Sequence, residues 1–133
     1  MDGFLILDKP EGITSAECVY KLRSILGTKK IGHCGTLDPL ATGLLPISIG
    51  EGTKFSNYLT NKDKLYEVGI KFGLETDTGD ITGKIVSKSQ KSYSLNNLET
   101  EVKKTEGYQE QLPPMYSALK VKGKPLYLSL IHI

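Results

Sequence analysis

An α+β fold is the architecture that this sequence predicts, on three observations. Short apolar runs suited to strands, at residues 4–7 and 43–49, stand beside stretches with helical spacing at residues 15–26 and 96–105. Strand and helix do not alternate in the regular order of a doubly wound sheet. Clusters of Gly, Pro and Asp separate the segments, and neither an internal repeat nor a low-complexity linker interrupts the 133 residues.

In chain order, Phe4 to Leu7 is an apolar run closed by Asp8-Lys9-Pro10-Glu11-Gly12, which predicts a buried strand ending in a turn. Thr14 and Ser15 are N-cap residues, and Ala16, Val19, Leu22 and Leu26 follow at helical spacing before Gly27. The expected helix covers residues 15–26 and packs one face on the core. Residues 27–43 are punctuated by Gly27, Gly32, Gly35, Pro39 and Gly43 with little periodicity, and ordered loops of this length are usually functional. A strand over 43–49 and a short helix over 52–59 come next. Leu65 to Phe72 alternates, with Tyr66, Val68, Ile70 and Phe72 on one face, which predicts another strand. Thr76-Asp77-Thr78-Gly79-Asp80 is a turn cluster leading to a short strand over 84–87. Asn96 with Glu99 resembles a capping box opening a polar helix that runs to about Thr105 and stops at Gly107. Residues 116–121 and 125–127 read as two strands joined across Lys122-Gly123-Lys124.

Composition narrows the classes of function. With 38% hydrophobic and 24% charged residues, the chain has the make-up of one soluble domain with a real core. Its longest apolar run, Phe4 to Leu7, is far below the roughly 20 residues needed to span a bilayer. Met1-Asp2-Gly3 offers no basic n-region, so a signal peptide is not expected and a cytoplasmic location is. Cys18 and Cys34 are too few and too far apart for a disulfide framework or a zinc site, and read as reduced packing residues. A net charge of +2 does not by itself announce a nucleic-acid binder. Lys120, Lys122 and Lys124 nevertheless lie in a stretch, residues 112–127, that has no acid, and Arg23 is the single arginine beside 16 lysines.

The chemistry concentrates in Gly32-His33-Cys34-Gly35-Thr36-Leu37-Asp38-Pro39-Leu40-Ala41-Thr42-Gly43-Leu44-Leu45. This is a glycine-bounded loop presenting an imidazole, a thiol, a hydroxyl and a carboxylate. Pro39 biases Asp38 away from helical geometry, and a carboxylate held in a loop suits nucleophilic catalysis. A His33/Cys34 dyad is disfavoured because adjacent residues on an extended chain point apart. Metal binding by His33 and Asp38 lacks further ligands, and the glycines are not those of a P-loop. The bland alternative is a structural loop in which Asp38 caps a helix.

Six blocks in order resemble the TruB family of tRNA pseudouridine synthases. They are Asp8-Lys9-Pro10-Glu11-Gly12-Ile13-Thr14-Ser15, the Gly32 to Leu45 loop, Gly50-Glu51-Gly52-Thr53-Lys54, Tyr66 in its expected strand, Phe72-Gly73 with Thr76-Asp77-Thr78-Gly79-Asp80, and Gln111-Leu112-Pro113-Pro114-Met115-Tyr116-Ser117-Ala118-Leu119-Lys120. The resemblance implies a mixed, mainly antiparallel sheet flanked by helices, the N-terminal part of a catalytic core occupying residues 1–127. It implies conversion of a T-loop uridine, at tRNA position 55, to pseudouridine without metal or cofactor. Asp38 would be the nucleophile, Tyr66 would stack on the target base and help move a proton, and His33 would fill the place that the flipped base leaves. Lys9 and Pro10 would shape the floor of the site. Lys120, with Lys122 and Lys124, would contact phosphates of the T-arm stem-loop, the chain acting as a monomer with no membrane partner.

Two departures from the family pattern stand out. Its catalytic carboxylate is partnered by an arginine in a later Gly-Thr-Tyr-Ile-Arg-like segment, which is absent here, as is a C-terminal RNA-binding appendage; Arg23 lies in the wrong block. The match also stops after Leu126-Tyr127, so residues 128–133 read as a foreign or out-of-frame tail and the chain as an incomplete, inactive fragment. The alternative is a short, non-catalytic RNA-binding protein derived from the same fold.

Overall fold

A computed structural model describes residues 1–92 and 94–110, together with the strand pair Lys120–Val121 and Lys124–Pro125. The chain divides into two compact units, Met1–Glu67 and Val68–Ile133. Its architecture is α+β, and every strand pair is antiparallel.

In the first unit, β1 (Gly3–Lys9), α1 (Ser15–Leu26), β2 (Ile31–His33) and β3 (Gly43–Ile49) form a three-stranded sheet and one covering helix. The strand order is β1-β3-β2, with β3 in the centre. Alternation along the strands directs Leu7, Lys9, Leu45, Ile47, Ile49 and Ile31 to one face. There Leu45, Ile47, Ile49 and Ile31 are buried against Cys18 and Val19 of α1, with Leu7, Ile13, Leu22, Leu26 and Leu37 around them. Burying a side chain such as Ile47 contributes about 1.5–3 kcal/mol. On the opposite face Phe4, Ile6 and Leu44 are exposed. Cys18 and Cys34 are both buried and free, the packing role expected of them.

The helix bounds match the sequence expectation, and the caps give the reason. Thr14 is the N-cap: its hydroxyl accepts from Glu17 N at 3.1 Å, while its own backbone N–H donates to Glu17 Oε2 at 2.7 Å. That backbone bond and the Thr14 hydroxyl hold the Glu17 carboxyl below its usual range. The helix ends at Gly27, in the left-handed region that glycine adopts freely. The strand β2 was not expected. It is three residues long with Gly32 at its middle, too short for a periodic signal.

After β3 the chain makes a 3-10 helix, Gly50–Phe55, and then α2 (Ser56–Thr60). A side-chain carbon at Gly52 would stand 2.4 Å from Gly3 O, so only glycine lets this turn lie against β1. Glu51 bridges Lys30 and Lys54, and these ammonium groups, Lys30 foremost, lower its pKa.

The strand expected over 65–72 is a correction. Leu65 is 99% exposed, Val68 and Ile70 are exposed too, and none of the three lies in a strand. An alternating segment becomes a strand only when a partner strand satisfies its backbone, and none of the described sheets includes these residues.

In the second unit β4 (Leu74–Thr76) pairs with β5 (Ile85–Lys88), and α3 (Leu95–Lys103) follows. The cap of α3 is Ser94, whose hydroxyl accepts from Asn97 N at 3.3 Å, rather than Asn96, which lies inside the first turn. Lys120–Val121 (β6) pairs with Lys124–Pro125 (β7), a hairpin where one was expected but with Lys124 in the strand rather than in the turn; the remainder of 111–133, including the tail from 128, lies outside the described residues.

The turn between β4 and β5 has its own electrostatics. Asp80 Oδ1 accepts from the Thr82 hydroxyl (2.6 Å), the Thr78 hydroxyl (2.8 Å) and Thr82 N (2.8 Å), and these donors, the Thr82 hydroxyl foremost, hold its carboxyl below the usual aspartate range. A pKa lowered on folding stabilises the turn fully above the ordinary aspartate value, about 3.9, and that contribution is lost as pH falls through the lower folded value. Acid titration should therefore release the Thr82 amide, seen as a shift of its proton–nitrogen cross-peak, and Asp80→Asn should remove that transition. A Thr82 amide indifferent to both would show that the carboxylate does not hold the turn.

Candidate active site: a clamped aspartate loop

The Asp38 loop is fixed by the segment between β1 and α1. Lys9 is fully buried at the end of β1, and its ammonium donates to Pro10 O (2.9 Å), Ile13 O (2.7 Å) and Pro39 O (3.2 Å). Three N–H groups meet three carbonyls, which satisfies a buried ammonium without a carboxylate. Pro39 O also accepts from Gly12 N at 2.8 Å. On the other side of Asp38, the Ser15 hydroxyl donates to Leu37 O (3.1 Å) and accepts from Leu37 N (2.9 Å). The residues before and after Asp38 are thus both held through their backbones.

Asp38 itself is exposed, and its carboxylate takes no hydrogen bond among the described residues. Its backbone carbonyl accepts from Ala41 N at 3.0 Å, closing a turn. Among the described residues the carboxylate caps no helix. What the geometry provides is a free carboxylate on a backbone pinned at both neighbours, the condition for a positioned nucleophile.

His33 ends β2, partly exposed, with Nδ1 donating to Gly35 O at 2.5 Å. This bond fixes the ring and leaves Nε2 without a partner among the described residues. Cys34, by contrast, is 1% exposed, so the two neighbours point apart as expected of an extended chain. Tyr66 is 58% exposed and lies outside any strand, with no hydrogen bond or ring contact among the described residues. Lys120 lies in β6, in the other unit. The structure therefore gathers His33, Asp38, Lys9 and Ser15 around one loop; Tyr66 makes no hydrogen bond to that loop among the described residues, and Lys120 belongs to the second unit. Arg23 is engaged elsewhere: a terminal guanidinium nitrogen donates to Ile31 O at 3.1 Å, and the group lies over Tyr20, 5.3 Å from the ring centroid.

Ser15 is the residue whose role the sequence concealed. A serine beside a threonine at a helix start reads as a cap, and nothing local signals that its hydroxyl reaches a loop 22 residues away. Among the described residues, no three His, Cys, Asp or Glu side chains converge as a metal site would require. No helix among them is long and apolar enough to cross a membrane.

Residues 23–130 match the model of the TruB family pseudouridylate synthase N-terminal domain, and the chain belongs to that family. It is similar to the tRNA pseudouridine synthase B of Azoarcus sp. strain BH72, 51% identical over 127 residues, which are 96% of this chain and 42% of that protein. The tRNA pseudouridine synthase B of Bacillus subtilis strain 168 is 47% identical over 129 residues, again 96% of this chain and 42% of its own length. The chain thus spans about 42% of the curated relatives it matches. A chain from an H/ACA RNP bound to a substrate RNA containing 2'-deoxyuridine is 43% identical, covering 42% of this chain and 18% of its own, at a TM-score of 0.41.

Proposed function

We propose that this chain supplies the nucleophile-bearing part of an enzyme that isomerises a uridine in the T-loop of tRNA, at position 55, to pseudouridine. The observation that carries the reading is the exposed Asp38 carboxylate, set between two backbone clamps in a family of pseudouridylate synthases. The relatives' names as tRNA pseudouridine synthases support the choice of substrate. The reaction breaks N1–C1′, turns the base, joins C5 to C1′, and moves the C5 proton away as N1 gains one. As an internal rearrangement it needs neither metal nor cofactor.

In this reading Asp38 opens the glycosidic bond of a nucleotide taken out of the stack. His33, its ring fixed through Nδ1, occupies the vacated position. Tyr66, already exposed, stacks on the base, an interaction worth about 1–3 kcal/mol. Lys120, with Lys122 and Lys124, contacts T-arm phosphates. Residues 1–127 are catalytic-domain sequence, working as a monomer in the cytoplasm with tRNA.

The test is nucleoside mass spectrometry of a T-arm stem-loop RNA after incubation. The 133-residue chain is expected to bind the RNA and form no pseudouridine, while the same residues continued to the relatives' length convert the expected uridine. Turnover by the short chain would overturn the fragment reading. Binding without turnover at either length would favour the non-catalytic RNA-binding alternative.

A further inference from the structure

Lys64 lies within the same unit as the Asp38 loop and was not singled out by its sequence context. Its ammonium donates to Thr60 O at 2.6 Å and Lys62 O at 3.0 Å, at the C-terminal end of α2. Its stem reaches across to the loop: a side-chain carbon placed on Gly35 would stand 3.8 Å from Lys64 Cε. Gly35 is the residue whose carbonyl holds the His33 ring. An exposed cation is therefore held beside the His33–Gly35 end of the loop that presents Asp38, with two of its three N–H groups bound to carbonyls and the third without a partner among the described residues.

That arrangement suits an anion arriving with the substrate. A nucleotide extruded toward Asp38 carries a phosphate on each side of its ribose, and the strand must pass over the rim of the loop. A lysine already fixed by two carbonyls loses less conformational freedom on meeting a phosphate than a free one would. Capping the carbonyls at the end of α2 accounts for two of its hydrogen bonds, but not for its stem lying over Gly35.

We propose that Lys64 contacts a backbone phosphate of the RNA strand carrying the target uridine, next to the nucleotide that faces Asp38. This rests on the uridine-isomerising reading given above. The test compares the 133-residue chain with its Lys64→Gln and Lys64→Arg variants, measuring Kd for a T-arm stem-loop RNA across a salt series. Glutamine has a shorter stem and an amide with two N–H donors, but removes the charge. Lys64→Gln should weaken binding about fivefold at low salt and reduce the slope of log Kd against log salt by about 0.7–0.9, the share of one phosphate, and Lys64→Arg should retain both. Lys104→Gln, at the C-cap of α3, serves as a charge control and should change neither the affinity nor the slope. A Lys64→Gln chain with the parent's slope would overturn the phosphate contact, even with a lowered melting temperature, because a helix cap alone moves stability and not counterion release. The parent's preference for the T-arm over an unrelated hairpin would then show that the functional reading stands without it. If the parent binds no RNA, both fall.

Discussion

Asp38→Asn is expected to lower uridine isomerisation by at least about 10⁴-fold in a chain of the relatives' length, while T-arm RNA still binds. The substitution is nearly isosteric, and the carboxylate it replaces is exposed and takes no hydrogen bond among the described residues. The clamps on either side act on the backbones of Leu37 and Pro39, so the amide inherits the same position. What changes is the chemistry, since a neutral amide is a poor nucleophile toward C1′. Single-turnover nucleoside analysis and an RNA binding curve, taken on the same preparation, separate the two effects. Isomerisation that survives the change would remove Asp38 from the reaction. Binding lost together with turnover would mean that the carboxylate serves RNA recognition.

Lys9→Met should lower the folding free energy by about 2–4 kcal/mol, a large effect for a residue whose charge suggests a surface position. Methionine fills much of the same volume, so the cost arises mainly from lost hydrogen bonds. Pro10 O and Ile13 O lose the ammonium, whereas Pro39 O keeps Gly12 N at 2.8 Å. Urea unfolding monitored on the β1–α1 unit measures the change. Hydrogen exchange at the amides of residues 36–41 should also accelerate, because the loop is then held on that side by one donor instead of two. A loss below about 0.5 kcal/mol would show that the buried ammonium is not what fixes the segment.

How far the sequence carried these conclusions varies from element to element. The helix α1 was legible to its ends because its signals are local: Thr14, the 3.6-residue apolar spacing and Gly27 lie within 14 residues. The strand β3 was legible from its apolar run. The segment 65–72 was not, because alternation states which face a strand would bury but not whether a partner is there to pair with it. At α3, Asn96 and Ser94 are both capping residue types, and the backbone chose the serine. In the site, Asp38 and His33 stood out by their glycine-bounded loop. Lys9 and Ser15 did not, since their partners are backbone atoms up to 30 residues away, for which no side-chain pattern exists. The resemblance implied that Lys9 shapes the floor of the site; what the structure shows is its ammonium donating to three carbonyls.

The two clamps also determine where the loop is vulnerable to mutation over evolutionary time. Because they grip peptide groups, they are indifferent to which side chains Leu37 and its neighbours carry, apart from Leu37's own share in the core. The burden is moved upstream, onto Lys9 and Ser15, whose side chains make the bonds, and onto Gly12, whose φ of +85° suits glycine. Drift at Thr36 or Leu40 can proceed while the carboxylate keeps its aim, whereas the loss of one hydroxyl at Ser15 would let it wander.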